Sequence, residues 1–408
     1  MKRIPPVYSP LPLGAMVSAG FSGAARRAAD VADLEGYIRA SLAADEVCLT
    51  ASGTHALQVA LRAACGPAPH AHPVAMPAYS CFDLVSAAIG AGTRIRFYDV
   101  DPRTLSPDVA SLRQTVRSGV SAVVVGNLYG YPVDWASIRD IRAEAGVPVI
   151  EDAAQGIGTE TPDGRGGTLG DYTILSFGRG KGWTGGGGGA VLRRSAAGNE
   201  VEEPRSRLEA HVQGPASNPV GLRGALVTAI AWTLGRPSLY RLPTSIPSLG
   251  LGETHYHEPT PPAPIARFSA ALARRTARAA IEVVPERRRV ARALLEAIDS
   301  GGGEDGSSVE PCAPIGGAQG AAFLRLPVRA HSPEVARRLL ERGRDLGVAA
   351  GYPVALHRLP QARDVMEAND AALAGAEELA SRLLTLPTHH WIHAGEIEAL
   401  RKLLAARS

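Results

Sequence analysis

The sequence predicts an α/β protein: a large, mostly parallel sheet flanked by helices, followed by a smaller α+β domain. Three observations carry this expectation. From about Asp45 to Arg193, short apolar runs rich in β-branched residues alternate with amphipathic stretches of helical spacing. From Ile265 onward the rhythm changes to long Ala/Arg-rich helical patterns with few strands. The 408 residues are enough for two domains, and the 45% apolar and 20% charged content is that of an ordinary globular chain.

The strand-like runs are Val47–Thr50, Pro73–Met76, Arg94–Val100, Ala122–Asn127, Pro148–Glu151, Tyr172–Phe177 and Gly189–Leu192. Helical patterns separate several of them, at His55–Ala64, Phe82–Ala91, Asp108–Arg117 and Trp135–Ala145. Repeated strand-then-helix units favour parallel pairing, and ligands then gather at the carboxyl ends of the strands. Residues 1–264 are expected to form the large domain, with a divergent Pro/Gly-rich segment at about 200–264. Residues 265–408 are expected to form the small one. In it, Ile265–Ile298 reads as a helix divided near Pro285. Ala321–Leu326 and Leu384–Pro387 read as strands, and Glu334–Leu346, Ala371–Leu383 and Ala394–Ala405 as helices.

Lys and Arg total 43 and Asp and Glu 40, a balance that argues against a nucleic-acid partner. Cys48, Cys65, Cys81 and Cys312 form no CxxC pair, so neither a zinc site nor a disulfide framework is expected, and a reducing cytoplasm fits. The N-terminal Lys2-Arg3 is followed by no apolar core of a signal peptide. The apolar stretch Ala225–Leu234 is too short to span a bilayer; covering a dimer interface is its preferred reading, with membrane contact disfavoured because it lacks Lys and Arg. His389, His390 and His393 lack convincing metal-ligand spacing, and no metal is expected.

Three motifs follow strands in the large domain. Ser52-Gly53-Thr54 opens a helix, where free N–H groups suit a phosphate, although taken alone ordinary capping is the more common reason for Ser and Thr there. Glu151-Asp152-Ala153-Ala154-Gln155 ends an apolar run, where a carboxylate can hold a cation or a protonated ring nitrogen, or simply cap a turn. Ser176-Phe177-Gly178-Arg179-Gly180-Lys181 sets one lysine among glycines; a loop lysine is usually solvated, but an amine there can condense with a carbonyl. Gly182 after Lys181, and the lack of the earlier glycine, exclude a nucleotide P-loop. Gly156-Ile157-Gly158 lacks the third glycine of a dinucleotide fingerprint. A phosphate cradle, a strand-end acid and a loop lysine together are what pyridoxal 5′-phosphate (PLP) requires.

On these residues the chain resembles the DegT/DnrJ/StrS family of PLP-dependent aminotransferases. Further matching pieces are Met76-Pro77-Ala78-Tyr79-Ser80, Leu128-Tyr129-Gly130, Leu169-Gly170-Asp171, Gly188-Gly189-Ala190-Val191 and Tyr352-Pro353-x2-Leu356-His357. The resemblance implies the fold-type-I architecture of PLP transferases, a homodimer, and amino transfer from an amino acid, first glutamate, to a carbonyl acceptor such as a nucleotide-linked keto-sugar. It implies that Lys181 is the nucleophile and proton shuttle and that Asp152 pairs with the ring nitrogen. Gln155 would meet the ring hydroxyl, and Gly53, Thr54 and Ser176 would hold the phosphate. The family's ring-stacking aromatic falls at Cys81, so either the thiol covers the ring or Phe82 swings in. His357 and Arg179 are candidate substrate contacts. The family's Asn-x-Arg-Met segment survives only as Ile265-Ala266-Arg267-Phe268, and Gly187 stands where many relatives have Glu. Dehydration, epimerisation or amino-aromatic synthesis on the same scaffold, or a non-catalytic PLP-binding regulator, are the alternatives.

Overall fold

The computed structural model describes residues 3–22, 27–66, 71–194, 208–213, 222–241, 254–301, 307–368 and 372–405. Two helices lead the chain, α1 (Leu13–Ser22) and α2 (Arg27–Ser41), neither of them anticipated from the sequence. Then follow β1 (Glu46–Thr50), α3 (Gly53–Cys65), β2 (Val74–Pro77), α4 (Asp83–Ala91), β3 (Ile95–Tyr98), α5 (Val109–Arg117), β4 (Ala122–Gly126), α6 (Trp135–Ala145) and β5 (Val149–Asp152). A small hairpin, β6 (Glu160–Thr161) and β7 (Gly164–Arg165), precedes β8 (Tyr172–Ser176) and β9 (Gly189–Arg193). α7 (Leu222–Leu234) lies in the divergent segment.

The large sheet runs β1-β9-β8-β5-β4-β2-β3, with β9 antiparallel to both neighbours and the other pairs parallel. Period-two alternation explains why its strands are apolar throughout: each face packs on helices. Val74, Met76, Val124, Ile150 and Ile174 join Leu57, Leu61 and Val85 from α3 and α4 on one face. Ala75, Val123, Val125 and Val149 meet Leu112, Val116, Ile138 and Ile141 from α5 and α6 on the other.

Beyond residue 264 the chain forms α8 (Arg267–Glu282), α9 (Val284–Gly301), β10 (Val309–Pro311), β11 (Leu326–Ala330), α10 (Pro333–Gly343), β12 (Ala349–Ala350), α11 (Ala374–Arg382), β13 (Leu383–Leu386) and α12 (Ala394–Ala405). The strands there pair in the order β10-β11-β13-β12. Pro285 falls at the start of α9, where its missing N–H costs nothing, and the helical run divides at Val283. Although α8 lies beyond residue 264, it packs Ala270, Ala273, Ala277 and Ala280 against Leu34 and Ile38 of α2 and against Phe177 and Trp183 in the large domain. The expected strand Ala321–Leu326 is displaced to Leu326–Ala330. Residues 321–324 are buried, but the Ala322 N–H bonds Gly130 O at 2.7 Å and Phe323 adopts φ +45°, so they cannot extend a ladder. No helix among the described residues is long and apolar enough to cross a membrane.

The N-terminal segment is a strap between the domains. The Ile4 N–H donates to Asp345 O at 3.0 Å, and His389 Nε2 donates to Pro5 O at 2.8 Å. The Tyr8 ring packs edge-on against His390 and Trp391 at 4.7 and 5.0 Å, so these residues build a docking surface for the strap. Burial pushes the His389 imidazole from 6.5 down to about 4, with the strap carbonyl opposing the shift. The unfolded chain therefore takes up this proton first, so stability is full above pH 6.5 and falls as the pH drops toward 4. The shift corresponds to about 3 kcal/mol. Urea midpoints of wild type should drop between pH 7 and 4.5 more steeply than those of His389→Gln; parallel curves would contradict the assignment.

Candidate active site

Five loops leave the same edge of the large sheet, after β1, β2, β4, β5 and β8, because these strands point the same way. Their first residues are the ones the motifs singled out, which is where an open α/β sheet offers a crevice.

After β1, Ser52 caps α3: its backbone is extended (φ −158°) and its Oγ accepts the His55 N–H at 3.1 Å. The N–H groups of Gly53 and Thr54 open the first turn and have no acceptor within the helix. A Cβ at Gly53 would lie 2.8 Å from Ser176 Cβ, so only glycine lets this turn close against the Ser176 side chain. Ser176 ends β8 and Ser52 bridges Gly188, which brings helix N-terminus, hydroxyl and glycine loop to one point.

Adjacent carboxylates at the end of β5 divide by strand alternation. Glu151 is fully buried and accepts N–H bonds from Gly167, Leu169 and Gly170 and the Thr173 hydroxyl, so it organises the loop before β8. Asp152 faces the crevice, with the Ala154 N–H on its Oδ1 at 3.1 Å. Burial raises the Asp152 carboxyl above its usual range, and the positive charge of Lys181 opposes that rise. The acid and the amine thus share one electrostatic environment although 29 positions apart in the sequence. Only Lys2, Lys181 and Lys402 are lysines among the 43 Lys and Arg residues; a chain that otherwise uses arginine retains at this loop the one cation able to act as a nucleophile.

Cys81 joins the same group. Burial and the Asp83 carboxylate push its thiol up to about 12, while Lys181 pulls it down and Asp152 pushes it up. Its Sγ lies 3.5 Å from Asp83 Oδ2. Phe82, in contrast, is 5% exposed and packed in the core. Gln155 uses both ends of its amide: Oε1 accepts the Tyr129 N–H at 3.0 Å and Nε2 donates to Tyr352 Oη at 2.8 Å. One Nε2 hydrogen is left over. Tyr129 sits at φ +54°, a strained value for a non-glycine residue, and the Gln155 bond holds it there. Tyr352 stacks on Tyr129 with 6.1 Å between centroids, and its N–H bonds Tyr79 Oη at 2.8 Å. These tyrosines lay within motifs read from the sequence, but their common wall around Gln155 arises only from tertiary contacts. His357 is engaged elsewhere: Nε2 lies 2.8 Å from Glu377 Oε1, and its ring packs on Phe97. Arg179 is exposed on the lysine loop.

The donor set fits PLP: N–H groups and a hydroxyl for phosphate, a half-buried carboxylate for a ring nitrogen, and an amine. A DegT/DnrJ/EryC1/StrS aminotransferase family model matches residues 16–211. Over that stretch, just under half of its length, the chain is similar to this family. Among curated relatives it is 35% identical over 146 residues to L-glutamine:2-deoxy-scyllo-inosose aminotransferase of Streptoalloteichus tenebrarius, covering 36% of this chain and 34% of that one. It is 35% identical over 129 residues to a UDP-N-acetyl-3-dehydro-α-D-glucosamine 3-aminotransferase of Acidithiobacillus ferrooxidans, covering 31% and 34%. The matches therefore span about a third of the length of these relatives. In fold, the chain is similar to Escherichia coli GDP-4-keto-6-deoxy-D-mannose-3-dehydratase with bound hydrated PLP, at a TM-score of 0.73, 18% identity and coverage of 99% and 100%. That likeness shows a shared α/β, fold-type-I architecture along the whole chain, beyond the matched stretch as well.

The tight Gly53 contact gives a direct check. Gly53→Ala should cost about 1–3 kcal/mol of stability, because Ser176 or the α3 terminus must shift. It should also weaken PLP binding about tenfold, roughly the worth of one displaced charge-assisted hydrogen bond. Denaturant titration and fluorescence-monitored binding measure the two, and unchanged affinity would contradict a role for Gly53 in holding a phosphate.

Proposed function

We propose that the protein is a PLP-dependent aminotransferase, moving an amino group from an amino acid, first glutamate, to the carbonyl of a nucleotide-linked keto-sugar. The observation that carries this reading is the half-buried Asp152 carboxylate at the end of β5, which shares its field with Lys181 in the loop after β8. When bound, the cofactor supplies an electron-accepting ring that stabilises negative charge on the substrate carbon.

The chain's own residues divide the remaining work. The Gly53 and Thr54 N–H groups and the Ser176 hydroxyl hold the phosphate. Asp152 keeps the ring nitrogen protonated, and the spare Gln155 N–H meets the ring hydroxyl. Cys81 lies beside the ring, while Phe82 keeps its place in the core. Lys181 Nζ is the amine that would hold the cofactor's aldehyde end, and it would take and return the proton at the substrate carbon. Arg179 is our candidate for an anionic group of the acceptor. His357, tied to Glu377, orders the mouth of the small domain and is the further candidate for the substrate.

The acceptor class is supported by the two curated relatives, whose names describe amination of a cyclic ketone and of a nucleotide-linked 3-keto-sugar. The S. tenebrarius relative makes glutamine the second donor to test. Self-association as a homodimer is supported by the exposed Leu13 and Val17 of α1 beside Leu226, Val227 and Ile230 of α7.

Incubation of the PLP-loaded protein with glutamate or glutamine should release the matching 2-oxo acid and leave the amino group on the cofactor. Lys181→Ala should abolish this, and Asp152→Asn should slow it by about a hundredfold or more. Release of ammonia or loss of water from the sugar, with no amino group passed to it, would assign a different reaction.

A further inference from the structure

We propose that Ser9 is a positioning residue for Lys181, acting from the N-terminal strap, outside the stretch that matches the family model. The far side of the loop is anchored by Trp183 Nε1 on Ala273 O at 2.7 Å and the Gly185 N–H on Phe177 O at 2.8 Å, but the residues next to Lys181 have few restraints. Glycines occupy 178, 180, 182 and 185–189, each with the large backbone freedom of its type. The Lys181 N–H reaches Gly178 O only at 3.4 Å. The two peptide groups that bracket Gly180-Lys181, the one before Gly180 and the one after Lys181, are instead tied to one hydroxyl. Ser9 Oγ accepts the Gly180 N–H at 3.0 Å and donates to Lys181 O at 3.0 Å. One side chain thereby clamps both ends of the Gly180-Lys181 pair, which narrows the backbone angles available to the lysine and with them the direction of its Cα–Cβ bond.

The strap is itself held on both sides of Ser9. Tyr8 O accepts from Arg287 Nη2 at 3.1 Å, and Leu11 O accepts from Trp232 Nε1 at 2.9 Å. Arg287 is 1% exposed and burial lowers its guanidinium to about 10, so Tyr8 O is one of the few oxygens that solvate this charge. Val7 crosses above Gly180, where a Cβ would lie 3.5 Å from Val7 Cγ1, and Gly180 has φ +79°. The hydroxyl therefore approaches the loop from a fixed support. Its effect on chemistry rests on Lys181 being the reacting amine; its effect on the loop does not.

Amide hydrogen exchange of the full-length protein without added cofactor reads the loop directly. The Gly180 amide should be protected in wild type. In Ser9→Ala it should exchange about tenfold faster or more, the loss expected from one hydrogen bond, while amides of β4 and β5 keep their rates. Ser9→Thr, which retains the hydroxyl, should restore protection. On the PLP-loaded protein, Ser9→Ala should lower kcat for the amino-donor half-reaction about tenfold or more with KM unchanged within about twofold, as expected for a misplaced catalytic group. An unprotected Gly180 amide in wild type, equal exchange in Ser9→Ala, failure of Ser9→Thr to restore protection, or acceleration spread through the central strands would each overturn the proposal. If exchange responds as expected but no amino donor reacts with wild type, the functional reading fails and the positioning of the loop stands.

Discussion

The architecture of the site depends on one constraint: a carboxylate must be kept in a desolvated crevice opposite a single amine. Isolated burial of a charge is costly, and a lone carboxylate in that place would be driven toward its neutral form. The rise at Asp152 is in that direction, and Lys181 is the largest influence opposing it. Each partner comes from a different strand end, so their meeting requires β5 and β8 to be parallel neighbours in register. The pairing of Asp152 with Ile174 provides this. Glu151, one residue earlier, faces the other way and spends its charge on the backbone of residues 167–170, which fixes how β8 enters the sheet. Two consecutive acids thus do separate jobs because a strand alternates its faces.

The supports of the lysine come from far away in the chain. The serine at position 9, the arginine at 287 and the aromatic surface at 389–391 form a chain of contacts from the loop to the small domain. The opposite wall is built in the same manner. Gln155 ties the strained Tyr129 to Tyr352 of the small domain, and Tyr352 in turn leans on Tyr79. The crevice is therefore bounded by the large domain below and by small-domain residues at two sides, an arrangement suited to excluding water around a reacting carbon.

Much of the large domain was legible because a sheet covered on both faces needs uninterrupted apolar strands, and such runs stand out between turn residues. The motif residues were legible for a related reason: each follows a strand, where only a few residue types can cap, cradle or condense. What escaped was set by contacts between distant positions. α1 and α2 are rich in Ala and Gly and carry no strong helical pattern, and α2 earns its place only by packing on α8. Ala321–Leu326 looked like a strand because burial selects the same residues as a ladder does; Phe323 in the left-handed region breaks the ladder, and no local signal announces it. The choice between Cys81 and Phe82 was open in the sequence, and the packing of α4 puts Phe82 in the core. Ser9 carried no signal at all, since its partners lie some 170 residues away.

The central claim is that one amine, in the field of Asp152, is where the cofactor attaches. Because the chain has only Lys2, Lys181 and Lys402, borohydride reduction of the PLP-loaded protein followed by peptide mapping answers this without ambiguity. The account predicts stoichiometric cofactor label on the Lys181 peptide, greatly reduced in Asp152→Ala. Label on the Lys2 or Lys402 peptides with none on Lys181 would contradict it.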